Sequence, residues 1–455
     1  MNRIIIIGNG FDLAHNLKTG YQDFINDYWA VVEEQVYGRY WQWLDQHYGG
    51  SKHIPENYKD NFVCIEKECG KTETNKVCFS YNENSPFRKL CTLINEYNSA
   101  PNAPVTVHLK FKNLFFERIS RQCSLVNWVD IENEYYTALK ELLQEENPQK
   151  QSESIRTLNK DFDDVKGLLE DYLTKVTKST EVNVHQSIKD AFSSYVEFDE
   201  IATCKQVAFV DSIFAYMDTH SDFSYDEDDD LVYDILDTVD EKRMHFVKKN
   251  INNESFKKNL LPYTLLLNFN YTKTAEKLYA ENGNDEIINI HGELNNENNP
   301  IIFGYGDELD DDYERIERLQ NNDFLENIKS IRYHKTRNYR KLLEFVALGP
   351  YQVFIMGHSC GNSDRTLLNT LFEHDNCLSI KVFYRQYEDG TDNYIDMIKN
   401  ISRNFNNKPN MRDIVVNRES CSPLVPVKKA LSIILCKWQQ DSAISSLISG
   451  FCFQK

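Results

Sequence analysis

Six short apolar runs, each closing on a glycine or a polar turn, set the rhythm of this chain. They are the four isoleucines at 4–7, "YTLLLNFN" (263–270), "EIINIHG" (286–292), "PIIFGYG" (300–306), "YQVFIMGHS" (351–359) and "LSIKVFYR" (378–385). Near-continuous apolar strands of this length suit a parallel sheet covered on both faces. Helical patterns follow two of them, in "TKTAEKLYAEN" and "SDRTLLNTLFEH". Strands alternating with helices predict an α/β, Rossmann-like layer. Between about 25 and 260 the period changes. "VDIENEYYTALKELLQEE", "DFDDVKGLLEDYLTKVTK" and "DEKRMHFVKKNI" place apolar residues three and four apart with charges between them. The expected organisation is a discontinuous nucleotide-binding core (1–25 plus 260–390), a large and mostly helical insertion after the first strand (26–259), and a C-terminal helical or irregular segment (391–455) opened by "DNYIDMIKNISRNF". Within the insertion, 42–85 is polar and turn-rich and reads as an exposed excursion.

Length and charge narrow the function classes. The chain has 455 residues, enough for two or three domains or one with large insertions. Its net charge of −19 argues against a surface built to neutralise nucleic-acid phosphates. The acidic run at 221–241 reads as a solvated loop leading to a helix. No stretch approaches the roughly 20 apolar residues of a spanning helix, and the first apolar run is too short for a secretory core. Eleven scattered cysteines with no export signal imply reduced thiols and a cytoplasmic location. Cys64, Cys69, Cys78 and Cys91, with His53 upstream, lack any C-x₂-C knuckle, so buried or incidental thiols are favoured over zinc.

Four polar patches sit where strands are predicted to end. Gly8-Asn9-Gly10-Phe11-Asp12 follows the isoleucines, and a glycine turn there can cradle an anion or simply be tight. Downstream, Thr19 and Gln22 have capping-box spacing and predict a helix from Tyr21. Asn268-Phe269-Asn270-Tyr271 ends the second run, with Thr272 placed to cap a helix. Ligands bind at strand C-termini in open α/β sheets, so Asn270 is expected in the crevice. His291 ends the third run, and its side chain suits proton transfer near neutral pH. Gly357, Ser359, Gly361, Ser363 and Asp364 form a last polar turn at a helix start.

Taken together, "IIIIGNGFDLAHNLKTGY", "WVDIENEYY", "NFNYT", "IHGEL", "IIFGYGDE" and "GHSCGNSD" resemble the bacteriophage abortive-infection AbiH family, in order up to about residue 420. The sequence of glycine turn, strand-end Asn, His-Gly and Gly-x-Ser also resembles the sirtuin-like NAD-binding fold, over the sheet segments only. That likeness implies that Gly8, Asn9, Gly10 and Phe11 form the turn on the pyrophosphate. It further implies Asn270 near the nicotinamide ribose, His291 as the base, and Gly357, Ser359 and Asp364 near the adenosine half. Sirtuin deacylases carry a zinc ribbon of paired C-x₂-C knuckles after the histidine. Cys360, Cys377, Cys421, Cys436 and Cys452 are not so paired, which favours NAD hydrolysis in phage defence over deacylation. Sirtuins also have no acid where Asp12 stands. Beside a pyrophosphate it must point away, pair with a base or serve chemistry.

The resemblance therefore implies an anti-phage protein that hydrolyses NAD when triggered, with Asn270, His291 and Asp12 as catalytic candidates and no metal. A phage-derived trigger or homo-oligomerisation is the expected control. Two alternatives remain open at this point. Asp130, Glu132 and Glu134 lie close together in sequence and carboxylates can hold Mg²⁺ for phosphodiester cleavage, although an ion-paired helix start accounts for them as well. The nucleotide site could instead be a non-catalytic sensor, with the helical region binding a phage or host protein. Lys335, Arg337 and Arg340 read as an exposed basic helix.

Overall fold

The computed structural model describes residues 1–48, 56–69, 85–99, 105–122, 128–220, 238–280, 286–308 and 310–427. Five parallel strands form the central sheet: β1 (Asn2–Ile7), β5 (Tyr263–Asn268), β6 (Glu286–Asn289), β7 (Tyr351–Met356) and β8 (Cys377–Phe383). A smaller antiparallel sheet, in the order β2-β3-β4, comprises β2 (Tyr58–Lys59), β3 (Val63–Cys69) and β4 (Val105–Phe111). The large sheet runs β6-β5-β1-β7-β8. Chain order thus proceeds outward from β1 to one edge, then returns to its other side. The direction reverses between β1 and β7, and at such a switch point the crevice beyond the strand ends is open to ligands.

The isoleucine run belongs at the centre because it needs burial on both faces. Ile4 and Ile6 pack with Leu265, Leu267, Val353 and Ile355 on one side, while Ile5 and Ile7 pack with Leu266, Phe354 and Met356 on the other. In register, Ile7 lies beside Asn268 and also beside Met356. The polar turns that follow all three strands therefore emerge at one level. Arg3, fully buried within this apolar strand, donates from Nη1 to the Ser194 carbonyl at 2.8 Å and lies over the Phe354 ring.

Helices dominate the region after β1. The 32-residue helix Pro148–Ser179 buries Ile155, Phe162, Val165, Leu169, Leu173 and Val176 on one stripe, as the three- and four-residue spacing requires. This region is not helix alone. Part of the supposed excursion at 42–85 is strand β3, whose Val63 and Ile65 join Trp29, Phe87 and Phe116 in a large aromatic core. A polar stretch concealed it because β3 buries only its first three residues, Val63, Cys64 and Ile65, before continuing through the polar Glu66, Lys67 and Glu68. Phe303, Tyr305, Ile316 and Phe324 belong to the same core, so "PIIFGYG" is no strand of the parallel sheet. It runs irregularly, with Tyr305 bridging to Ile328, and its aromatic rings stack on the helices: Tyr136 on Tyr305 at 3.8 Å and Phe162 on Phe303 at 4.9 Å. The acidic run at 221–237, Cys78, His53 and the tail from 428 lie outside the described residues.

Candidate functional site

A cleft of about 640 Å³ opens at the carboxyl ends of the central strands. It is lined by Gly8, Asn9, Gly10 and Asp12 after β1, by Asn270 and Thr272 after β5, and by His291 after β6. Gly357, His358, Ser359 and Asp364 contribute from the turn after β7, and Arg385 from beyond β8. That volume suits a drug- to dinucleotide-sized ligand. Two glycines let the turns meet beneath it. A Cβ on Gly8 would lie 2.3 Å from His358 Cα. Gly357 adopts φ +76°, and a Cβ there would lie 2.1 Å from the Phe11 nitrogen. The N–H of Gly10 donates to the Gly357 carbonyl and that of Phe11 to the Gly8 carbonyl, both at 2.8 Å. Much of the donor capacity of the glycine turn is thus spent within the chain itself.

The chemistry concentrates around Asp364. Its Oδ1 lies 3.2 Å from His291 Nε2 and 2.8 Å from Lys329 Nζ, and its Oδ2 lies 3.4 Å from His358 Nε2. Lys329 also lies 2.8 Å from Glu132 Oε1 and 2.9 Å from Oε2. Lys329 is 1 % exposed, His291 4 % and Glu132 5 %, so these charges have been taken out of water and hold one another in place. Burial, assisted by the Lys329 charge, lowers His291 to about 4 even though Asp364 opposes it. The imidazole is therefore neutral at pH 7. Asp364 is held well below the ordinary carboxylate range: Lys329 and the two histidines outweigh its burial. A carboxylate only accepts, so the Nε2 proton faces Asp364, with the Tyr333 hydroxyl 3.2 Å from the same nitrogen, and Nδ1 is the unprotonated nitrogen. Burial pushes Glu132 up to about 7, against the pull of Lys329.

Across the cleft, Asp12 is 1 % exposed. Its Oδ2 accepts from Thr272 Oγ1 at 2.6 Å, while Oδ1 has no hydrogen-bond partner among the described residues. Burial raises its carboxyl to about 6, with the hydroxyls of Thr272 and Thr274 and the Asn270 amide pulling the other way. Asn270 Nδ2 donates to the Gly8 carbonyl at 3.0 Å and ties the β5 turn to the β1 turn. Asn268 supports this arrangement, accepting from the Asn270 N–H at 3.0 Å and donating to the Thr272 carbonyl at 2.8 Å.

Residues 4–386 match the family described as Bacteriophage abortive infection AbiH. This chain belongs to the AbiH family. No curated protein and no solved structure matches it. Among the described residues of this AbiH protein, no helix is long and apolar enough to cross a membrane.

The structure brings Asp12, Asn270, His291, Gly8, Asn9, Gly10, Gly357, Ser359 and Asp364 to one cleft. Phe11 is different: its ring is fully buried beneath the sheet ends, against His15 and Tyr279. Thr272 does not cap the next helix, whose cap position is Lys273 without a side-chain bond; its hydroxyl goes to Asp12 instead. The carboxylates of "DIENE" diverge. Glu132 enters the cleft, whereas Glu134 pairs with Arg118. No three His, Cys, Asp or Glu side chains converge as a metal site among the described residues. Of the cysteine group, Cys64 and Cys69 lie on β3 and Cys91 is buried on the helix Pro86–Ser99. Lys335, Arg337 and Arg340 are exposed. Sequence reasoning missed Lys329 and His358. Lys329 follows "LENI" with no local signal of its own, and His358 was legible only as the middle of Gly-His-Ser.

Proposed function

We propose that this AbiH protein hydrolyses the nicotinamide N-glycosidic bond of NAD as its abortive-infection activity, when triggered. The observation that carries the reading is a neutral histidine braced by an ionised carboxylate, His291 with Asp364, inside a dinucleotide-sized cleft at the sheet's switch point. The sirtuin-like order of the strand-end motifs supports the same substrate. In this reading the dinucleotide lies across the strand ends with its nicotinamide ribose between Asn270 and His291. The glycosidic electron pair moves onto the cationic ring nitrogen and neutral nicotinamide departs. Asp12, whose Oδ1 has no hydrogen-bond partner among the described residues, supplies negative charge for the oxocarbenium-like ribose. Water adds to C1′, its proton passes to Nδ1 of His291, and Asp364 stabilises the imidazolium that forms. The products are nicotinamide and ADP-ribose, and the proton is released to solvent. Asn270 keeps the two turns in register through its bond to Gly8.

The test is nicotinamide release from NAD by the purified chain, with and without lysate of phage-infected cells. His291→Ala is expected to lower turnover by about 10²–10⁴, the usual contribution of a general base, while remaining folded. Asn270→Ala should lower it as well. Equal NAD consumption by a folded His291→Ala protein would remove His291 from the mechanism. Absence of release under every condition would reject the hydrolase reading.

A further inference from the structure

The cleft holds an imbalance of charge that points to where an anionic ligand must sit. Its lining includes the carboxylates of Asp12, Glu132, Asp364 and Asp396, but among the described residues the only Lys or Arg side chains in it are Lys329 and Arg385. Lys329 is neutralised from both sides by Glu132 and Asp364. Arg385 differs: among the described residues its guanidinium has no carboxylate partner. It lies over the Tyr387 ring, 5.2 Å from the centroid, and its backbone N–H donates to Asn393 Oδ1 at 2.7 Å. Stacking on an aromatic face keeps the planar fork oriented while leaving its N–H groups available. The glycine turn after β1 is a poor rival. Gly10 and Phe11 have given their N–H groups to the carbonyls of Gly357 and Gly8, and Asp12 adds a carboxylate beside them.

We propose that Arg385, beyond β8, is the pyrophosphate-binding residue of the cleft, and that the glycine turn serves chiefly to pack the strand ends together. The inference rests on the dinucleotide reading for its ligand. Arg385 lies beyond the strand that neighbours β7, and the turn after β7 carries Asp364. A dinucleotide with its ribose at His291 therefore extends its diphosphate along the cleft toward the guanidinium. Paired N–H donors of arginine match phosphate oxygens in a bidentate fork.

The experiment compares the full-length wild type with Arg385→Gln and Arg385→Lys. KM and kcat for nicotinamide release are measured with NAD and with nicotinamide riboside, and ADP-ribose binding is measured by calorimetry. Arg385→Gln should raise KM for NAD and weaken ADP-ribose binding by about 10- to 100-fold, the range for charge-assisted hydrogen bonds. Cleavage of the phosphate-free riboside should be unchanged, and Arg385→Lys should recover only part of the loss because it lacks the fork. A wild type that turns over NAD while Arg385→Gln keeps its KM and its ADP-ribose affinity overturns the inference and leaves the hydrolase reading standing. Arg385-dependent binding of ADP-ribose without any NAD turnover supports the inference and rejects that reading. An equal loss on the riboside also overturns it, since the residue would then act on something other than phosphate.

Discussion

Replacing Asp12 with asparagine removes a charge that the fold holds at a cost, and the cost depends on pH. An ordinary aspartate titrates near 3.8, whereas burial raises Asp12 to about 6. The native chain therefore holds this proton more tightly than the unfolded chain does. Stability from this group is fully present below the ordinary value and is lost as pH rises through about 6. At about 1.4 kcal/mol per pH unit, the loss amounts to about 3 kcal/mol by pH 8. An unfolding entropy of about 2.1 cal/mol/K per residue gives this chain roughly 1 kcal/mol/K, so the effect equals about 3 °C in Tm. The asparagine side chain still accepts from Thr272 through Oδ1. Whatever its amide loses beside the unpartnered position, it loses equally at all pH values. The assay is thermal unfolding of wild type and Asp12→Asn from pH 4 to 8. The Tm difference, variant minus wild type, should rise by about 2.5 °C across that range, most steeply near pH 5, midway between the ordinary and the raised value, and level off above about pH 7. A difference that stays flat would refute the assignment of a strained, buried carboxyl.

Lys329→Met leaves the carboxylates of Glu132 and Asp364 buried together without their cation. Removing one partner of such a network costs about 3–5 kcal/mol, visible as a fall in denaturation midpoint, and Lys329→Met with Glu132→Gln should recover part of it. Without Lys329 the His291 imidazole also becomes more basic, because that cation disfavours its charged form; NMR titration of the ring should show its pKa rise above about 4. Gly8→Ala should be poorly folded or lose ligand binding, since its Cβ meets backbone rather than a flexible side chain; unchanged Tm and binding would contradict the packing described for the two turns.

The sheet was readable because its strands are buried on both faces, and unbroken apolar runs announce that condition. Asn270, His291 and Asp364 were readable for a related reason: each sits where an apolar run stops, and in a parallel sheet such stops gather at one end. Strand β3 escaped because only Val63, Cys64 and Ile65 of it are buried, in the midst of polar residues. The "PIIFGYG" run misled in the opposite sense, since its apolar side chains are needed by the aromatic core of the helices. Lys329 was invisible because its meaning depends on Glu132 and Asp364, 197 and 35 residues away. The separation of Glu132 from Glu134 likewise follows from helix geometry, which turns neighbours two apart to different faces.

The central position of β1 also governs when the site can exist. Asn2 is in register with Tyr351, and between them the ribosome must deliver about 350 residues. At about 5–20 residues per second, β1 waits roughly 20–70 s during synthesis for β7 to complete its second flank. Contacts of such sequence separation form slowly, and the helices between them have time to assemble first. Lys329 and Asp364 arrive in the same late stretch as β7. A nascent chain therefore carries Asp12, Glu132 and His291 before it has the groups that would arm them. Under the proposed activity, the cell producing this protein is shielded from it until β7 and the turn that carries Asp364 have been made, with no inhibitor required for that interval.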